Sequence, residues 1–450
     1  MAESILIHNV LLADRPSTPR GWVLVGGDTI SAVGEGDVPA GTGAAEVVDG
    51  RGAFLMPGLI DTHVHFREPG LTHKATIGGE SEAALAGGVA SYIDMPNTVP
   101  PTTTALAFYD KLMIASETSQ ANYGFMLGAA AGVMEELPKI EPELLPAVKL
   151  FMGATTGGMA MPPRDELHAM MKYCAERRIP VVVHAEDNDI IAANVADAVK
   201  RYGSADAVPL AEHSALRSRE ACIACARRAV ELARRFGTRL HIAHLSTADE
   251  LSLFAPGAVG SKQITAETTP LYVDGYISRA ENRTWRHKVN PAVKTYDDAL
   301  ALRRALEEDL IDTIGTDHAP HLPADKEGGA LKAASGAPWI QFALIALLDI
   351  FSPYLVARKM SAAPAELFGI ERRGRIEAGY YADLVLVEPS EPYTVSDSDV
   401  ISACGWTPYA GRTFRHRVVR TWVNGGNGAM AMRYSRYFLT NTVSTAMLTR

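Results

Sequence analysis

Two histidines in alternation, an arginine just beyond them and a turn make DTHVHFREPG, residues 61–70, the stretch best suited to chemistry. If GLIDTHVH is a β-strand, His63 and His65 project from one face, where two imidazoles can hold a metal ion. Arg67 falls just past the strand end, and Glu68-Pro69-Gly70 turns the chain away. A lone His-x-His also fits two half-buried strand histidines. Its weight therefore depends on what the rest of the chain brings beside it.

The elements that must do this positioning are short apolar strands alternating with helices. From Gly58 onward they are GLIDTHVH, VASYIDM, NYGFML, AVKLFMG, IPVVVHAE, RLHIAHLS, QITAET and LIDTIGTDHAP. Between them lie stretches such as ELHAMMKYCAERR and SREACIACARRAVELARRFG, whose apolar residues recur at three and four. Eight strands joined by helical crossovers run parallel, which predicts an α/β fold, a (β/α)8 TIM-like barrel. Short strands divided by Gly, Asp and Pro fill residues 1–57, and strands return in RIEAGYYADLVLVEP and HRVVRTWVNG. The expected organisation is a barrel over 58–371, flanked by a small β-sandwich built from 1–57 and 372–425. The tail, 426–450, carries three arginines and no acidic residue. It is expected to be poorly ordered, with an extended arm packed on a neighbour as the alternative.

In a parallel barrel the C-terminal ends of all strands open onto one face, where active sites sit. The first strand ends in His63 and His65, the fourth carries Lys149, the fifth ends in His184, the sixth in His244 and the eighth in Asp317. These residues, far apart in sequence, can thus converge. Lys149 is the discordant member, because an ammonium beside divalent cations is repelled and burial disfavours its charge as well. Carboxylation of the amine by carbon dioxide gives a carbamate, an anion with two oxygens able to bridge two metals. The plain alternative is a barrel lysine paired with a carboxylate.

Composition narrows the classes of function. Over 450 residues, 43 basic against 52 acidic side chains give a net charge of -9. With no basic cluster, nucleic acid is not an expected partner. No apolar run is long enough to span a bilayer, and MAESILIHNV lacks the features of a signal peptide, so no membrane association and a cytoplasmic location are expected. The four cysteines are few and irregularly placed, and Cys222-x-x-Cys225 falls within a predicted helix. They read as reduced packing residues rather than zinc ligands.

In combination these segments resemble the amidohydrolase superfamily, and within it the cyclic amidases that include dihydroorotases, dihydropyrimidinases and allantoinases. The resemblance runs from PGLIDTHVHFREPG through MPNT at 95–98, KLFMG at 149–153, HAEDN at 184–188, HLS at 244–246, NP at 290–291 and TDHAPH at 316–321, to GYYADLVL and WVNG. It implies two zinc ions. His63, His65 and Asp317 would hold one, His184 and His244 the other, and carboxylated Lys149 would bridge them, with a hydroxide between the metals. Asp317 would also carry the catalytic proton. A homodimer or tetramer is expected.

Arg67 selects among the members. Hydantoins, dihydropyrimidines and allantoin carry no ring carboxylate, whereas dihydroorotate presents one suited to a fork of donors. The expected reaction is therefore dihydroorotase, the reversible hydrolysis of L-dihydroorotate to N-carbamoyl-L-aspartate in pyrimidine synthesis. Asn97 and His321 match further carboxylate contacts of the family. Asn290 matches a residue facing the pyrimidine ring, and the loop at Ser335 and Gly336 a backbone contact to it. Two features depart from the pattern: many dihydroorotases have an aspartate where this chain has Lys149, and the tail lacks an acidic, hairpin-like ending. The first keeps a dihydropyrimidinase, hydantoinase or allantoinase activity as the alternative. A catalytically silent homologue acting as a scaffold is a further one, against which the full ligand set speaks.

Overall fold

The computed structural model describes residues 4–153 and 159–435. The first strands are β1 (Ser4–Leu12), β2 (Arg20–Gly26), β3 (Thr29–Glu35), β4 (Glu46–Asp49) and β5 (Phe54–Pro57). The barrel strands follow as β6 (Leu59–Val64), β7 (Val89–Asp94), β8 (Asn122–Phe125), β9 (Leu127–Gly128), β10 (Val148–Phe151), β11 (Val181–His184), β12 (Leu240–Ile242), β13 (Ile264–Thr268) and β14 (Thr313–Ile314). The chain ends its regular structure in β15 (Leu384–Thr394) and β16 (Thr413–Trp422).

The expected parallel barrel forms, because β6 to β14 pair only with parallel neighbours and carry helices between them. NYGFML, read as one strand, is split into β8 and β9, each paired to a different neighbour. The ring closes through a parallel bridge between Val64 and His318. Every residue of β6 and β7 is buried, as expected for strands covered on both faces. The crossover helices turn one apolar side to the strands. In Arg219–Phe236, Ala221, Cys222, Cys225, Ala226, Ala229, Val230 and Ala233 are buried at helical spacing, and Gly237 ends the helix at φ 72°. The Cys222 and Cys225 thiols thus pack against the barrel, and burial pushes both well above the ordinary thiol range, Cys225 to about 12.

Both chain ends meet in the β-sandwich, which is hydrogen-bonded as one mixed sheet in the order β16-β15-β5-β1-β2-β3, with β4 added to β1. Its own core gathers Ile7, Val10, Val23 and Leu55 from the N-terminal strands with Leu384, Leu386 and Trp422 from the C-terminal ones. A buried polar knot ties this sheet to the barrel. Arg373 and Asp383 form an ion pair, Asn122 Nδ2 donates to both Asp383 oxygens at 3.2 Å, and Asn424 Nδ2 donates to Asn122 Oδ1 at 2.8 Å.

The start of the tail departs from the disorder expected of it. Residues up to 435 lie along the barrel, where Met432 N donates to Tyr123 O (2.9 Å) and Tyr434 N to Glu143 O (2.9 Å). Met432 and Tyr434 are buried. The physical reason is that two large apolar side chains and paired backbone groups offset the entropy of ordering the segment. It is an extended arm, but it packs on its own chain; the remainder of the tail lies outside the described residues.

The buried knot gives a stability prediction. Asp383→Asn leaves the Arg373 guanidinium buried without its counter-charge, at a cost of about 3 kcal/mol or more. Urea unfolding of wild type and variant checks this, and equal midpoints would show that the ion pair is dispensable.

Candidate active site

The groups that could do chemistry are aimed by backbone turns at the strand ends. Arg67, His244 and Asp317 each lie just beyond a strand in left-handed conformation, at φ 69°, 43° and 52°. For residues with a Cβ this conformation costs roughly 1–2 kcal/mol and persists where the surroundings enforce it. Here it swings three side chains inward over the barrel mouth. Close approach is also needed beneath them. A Cβ on Gly315 would stand 2.3 Å from Glu267 Oε2 and 3.0 Å from His63 Cβ, so only glycine fits between β13 and β6.

The ring nitrogens face one another in an ordered way. His63 Nδ1 lies 2.6 Å from Glu267 Oε1 and donates to that carboxylate, which leaves Nε2 bare and 3.4 Å from Asp317 Oδ1. His65 Nδ1 donates to Asn97 Oδ1 at 2.6 Å, and its Nε2 lies 3.0 Å from the same Asp317 oxygen. His184 Nε2 is 3.0 Å from Glu186 Oε2, which turns its Nδ1 to 2.8 Å from His244 Nε2. Donor atoms of His63, His244 and Asp317 all lie within 4.8 Å of one another, a span that suits a metal ion. Lys149 Nζ is buried at the same place, 5.2 Å from the Phe151 ring centroid and with no hydrogen-bond partner among the described residues.

Burial governs the protonation states. It pushes the His63, His65 and His244 imidazolium forms down, His65 to about 3 with the Arg67 charge adding to the effect, so these rings stand neutral, the form that binds metals. It raises the Asp317 carboxyl and lowers the Lys149 ammonium to about 8. Neutral nitrogen donors, a carboxylate and an orphaned buried amine fit a pair of divalent cations bridged by a modified lysine.

One wall of the same cavity is formed by Arg67, Asn97, Asn290, Ser335 and Gly336, together with Ala319. Arg67 is 3% exposed, and its Nε donates to Pro320 O at 2.9 Å. Among the described residues no carboxylate lies within ion-pair distance of it. Asn290 Oδ1 is buried and has no hydrogen-bond partner among the described residues. His321 does not line the cavity and stands behind Arg67, its Nε2 3.0 Å from Arg67 Nη2 and 3.2 Å from Ser335 O. Lys74 Nζ lies 3.2 Å from His321 Nδ1. A lysine can only donate there, so His321 Nδ1 accepts, while Nε2 stands between the Arg67 donor and the Ser335 carbonyl; burial and the Arg67 and Lys74 charges keep the ring neutral. The structure thus brings all the residues singled out in the sequence to one mouth, with His321 one step behind the wall.

Sequence reasoning missed the groups that orient these side chains. Glu267, on β13, holds His63 and also accepts from Thr62 Oγ1 at 3.3 Å. Asp61 accepts from His63 N at 3.2 Å and from Thr316 N at 3.0 Å, pinning β6 to the chain beyond β14, and burial raises its carboxyl to about 7. Glu186 pairs with Arg217 as it holds His184. Glu267 had a readable signal: in QITAET it alternates with Thr265, and the seventh strand offers no other charged group.

Comparison with known proteins places this geometry. The model of the amidohydrolase family matches residues 54–427. The chain is 36% identical over 364 residues to a dihydroorotase from Halobacterium salinarum, covering 79% of this chain and 82% of that protein. It is 32% identical over 406 residues to an allantoinase from Rubrobacter xylanophilus, covering 88% of each. Among solved structures it resembles an L-hydantoinase (dihydropyrimidinase) from Arthrobacter aurescens, with a TM-score of 0.86, 28% identity and coverage of 94% of this chain and 95% of that one.

The His63–Glu267 contact carries a prediction about metal binding. Glu267→Gln loses the charged acceptor that fixes the His63 tautomer, so affinity for divalent metal should fall about 10–100-fold. Competition with a chromogenic chelator measures it, and unchanged affinity would remove Glu267 from the site.

Proposed function

We propose that this chain, which belongs to the amidohydrolase family, is a binuclear zinc dihydroorotase that interconverts L-dihydroorotate and N-carbamoyl-L-aspartate. The observation that carries this choice of substrate is Arg67, a buried guanidinium facing the cavity with no carboxylate of the described residues to pair with. An unpaired buried charge is costly, and a ring carboxylate on the substrate supplies the missing partner. Allantoin and hydantoins have no such group. The relative from Halobacterium salinarum, named a dihydroorotase, supports the same reading. An allantoinase or hydantoinase activity is the second reading, favoured by the Rubrobacter xylanophilus relative and by the Arthrobacter aurescens structure.

His63, His65 and Asp317 would hold one zinc ion and His184 and His244 the other, with Lys149 as the bridging carbamate. Bound there, the pair would lower the pKa of a water between them and polarise the ring amide carbonyl. Arg67 binds the ring carboxylate, and Asn97, already accepting from His65 Nδ1, closes the same side of the pocket. Asn290 Oδ1, without a partner among the described residues, accepts a ring N–H. Asp317 is the general base and acid: it takes the proton of the attacking water as the C–O bond forms and hands it to the ring nitrogen as the C–N bond breaks. Burial raises its carboxyl above the ordinary aspartate range, the direction that strengthens it as a base. His321, neutral behind Arg67, keeps the guanidinium aimed. Free buried cysteines fit a reducing compartment such as the cytoplasm. Among the described residues no helix is long and apolar enough to cross a membrane.

The test of substrate is a ratio. Wild type should turn over dihydroorotate in preference to dihydrouracil, hydantoin and allantoin, and Arg67→Met should lower kcat/KM for dihydroorotate by about a hundredfold through loss of a charge-assisted contact. Rings without a carboxylate should lose little. A wild-type preference for an uncharged ring, or a ratio unmoved by the substitution, transfers the assignment to the second reading.

Carboxylation of Lys149 has its own signature. Carbon dioxide adds only to the neutral amine, and with the ammonium at about 8 that form is scarce below this pH and dominant above it. At constant dissolved carbon dioxide, metal-stripped enzyme should therefore regain activity about ten times faster at pH 9 than at pH 7. A pH-independent rate would mean that no amine on this chain is being carboxylated.

A further inference from the structure

Two lysines outside the reaction stand behind the substrate wall. Lys326 is 3% exposed, and its Nζ donates to Lys288 O at 2.8 Å and to Gly336 O at 2.7 Å. Gly336 N donates to the same Lys288 carbonyl at 2.9 Å. Lys288 Nζ in turn reaches Ser335 Oγ at 3.0 Å and also donates to Ala333 O. Lys288 lies two residues before Asn290, which lines the cavity opposite the ligands with Ser335 and Gly336. These bonds therefore join two separate loops, one following β13 and the other following β14, at the point where each presents a side chain or backbone to the pocket.

A buried amine is costly to keep, and among the described residues no carboxylate lies within ion-pair distance of Lys326. Burial, with the charges of Lys288 and Arg67, pushes its ammonium down to about 6. The neutral amine still has two N–H donors, enough for both carbonyls. Trp406 covers it, the Nζ lying 5.6 Å from the ring centroid, and Trp406 Nε1 donates to His321 O at 2.7 Å. An apolar side chain of similar length would fill the same space without a desolvation cost, so what distinguishes lysine here is the pair of carbonyls it holds.

We propose that Lys326 is a positioning residue that fixes the Asn290 loop against the Gly336 loop and so sets the fit of the substrate ring without touching it. The inference rests on reading the cavity as a cyclic-amide site. Without this tie the two loops are held only by the Gly336 N to Lys288 O bond and the Lys288 Nζ contacts, ring binding loosens, and the His63, His65, Lys149, His184, His244 and Asp317 cluster stays in place.

The experiment uses the metal-loaded enzyme and whichever cyclic amide wild type turns over best, so that a wrong choice of substrate shows in wild type and a wrong role for Lys326 only in the variants. Lys326→Met should raise KM about tenfold, with kcat within about threefold and metal content unchanged, because displacement of a binding wall costs positioning rather than chemistry. Lys326→Arg, which keeps donors for both carbonyls, should return KM to within about threefold of wild type. A merely structural role would lower the thermal midpoint with no selective rise in KM. Should Lys326→Met not accumulate as folded protein, Lys288→Met, which cuts the companion ties to Ser335 and Ala333, should give the same KM-selective effect. An unchanged KM in a folded methionine variant, or a fall of kcat in step with lost metal, overturns the proposal.

Discussion

The Lys149 amine is fully buried at the barrel mouth among imidazole rings and has no hydrogen-bond partner among the described residues. Holding an ammonium there costs several kcal/mol, so the site is stable only if that nitrogen changes its state or meets compensating charge. Its positive charge also depresses the neighbouring histidines, after the larger effect of burial. The neutral rings and the weakened hold of Lys149 on its proton follow from one cause, the removal of water from the mouth. What would be unfavourable in an empty pocket becomes a set of lone pairs available to cations.

Orientation is the second requirement, and it is met by groups that do not face the cavity. Glu267, Asn97 and Glu186 each hold one nitrogen of a histidine and so decide which lone pair points inward. Asp61 ties the strand that carries His63 to the segment that carries Asp317. Left-handed backbone at His244 and Asp317 adds the last turn of direction. Each device is a buried polar contact or a strained residue that would be a liability elsewhere, and all are concentrated at the strand ends.

The opposite wall depends on parts of the chain that are distant from the barrel strands. Trp406, from the segment between β15 and β16, closes over Lys326 and holds His321, which backs Arg67. The sandwich strands, by contrast, meet the barrel at the Asn122–Arg373–Asp383–Asn424 knot. The C-terminal third thus shapes the substrate side of the pocket and anchors the sandwich through two different contacts.

The sequence by itself determined the strand and helix alternation, since buried parallel strands and amphipathic crossovers leave periodicities of their own. It also determined most of the residues at the strand ends, because a barrel sends all those ends to one face and His63, His65, Lys149, His184, His244 and Asp317 are polar residues there, Glu267 being the one passed over. Arg67 was legible for the same reason. Tertiary structure alone decided which nitrogen of each histidine points inward, since that depends on Glu267 and Glu186 through contacts across the barrel. It decided that His321 stands behind Arg67 rather than on the cavity wall, and that residues up to 435 pack on the barrel although their composition suggested a loose tail. It also decided that Lys326, an ordinary lysine in a polar loop by sequence, is buried against two carbonyls. Local pattern records periodicity and turns, whereas tautomer, burial and partnership belong to atoms that meet only after the chain has closed the barrel.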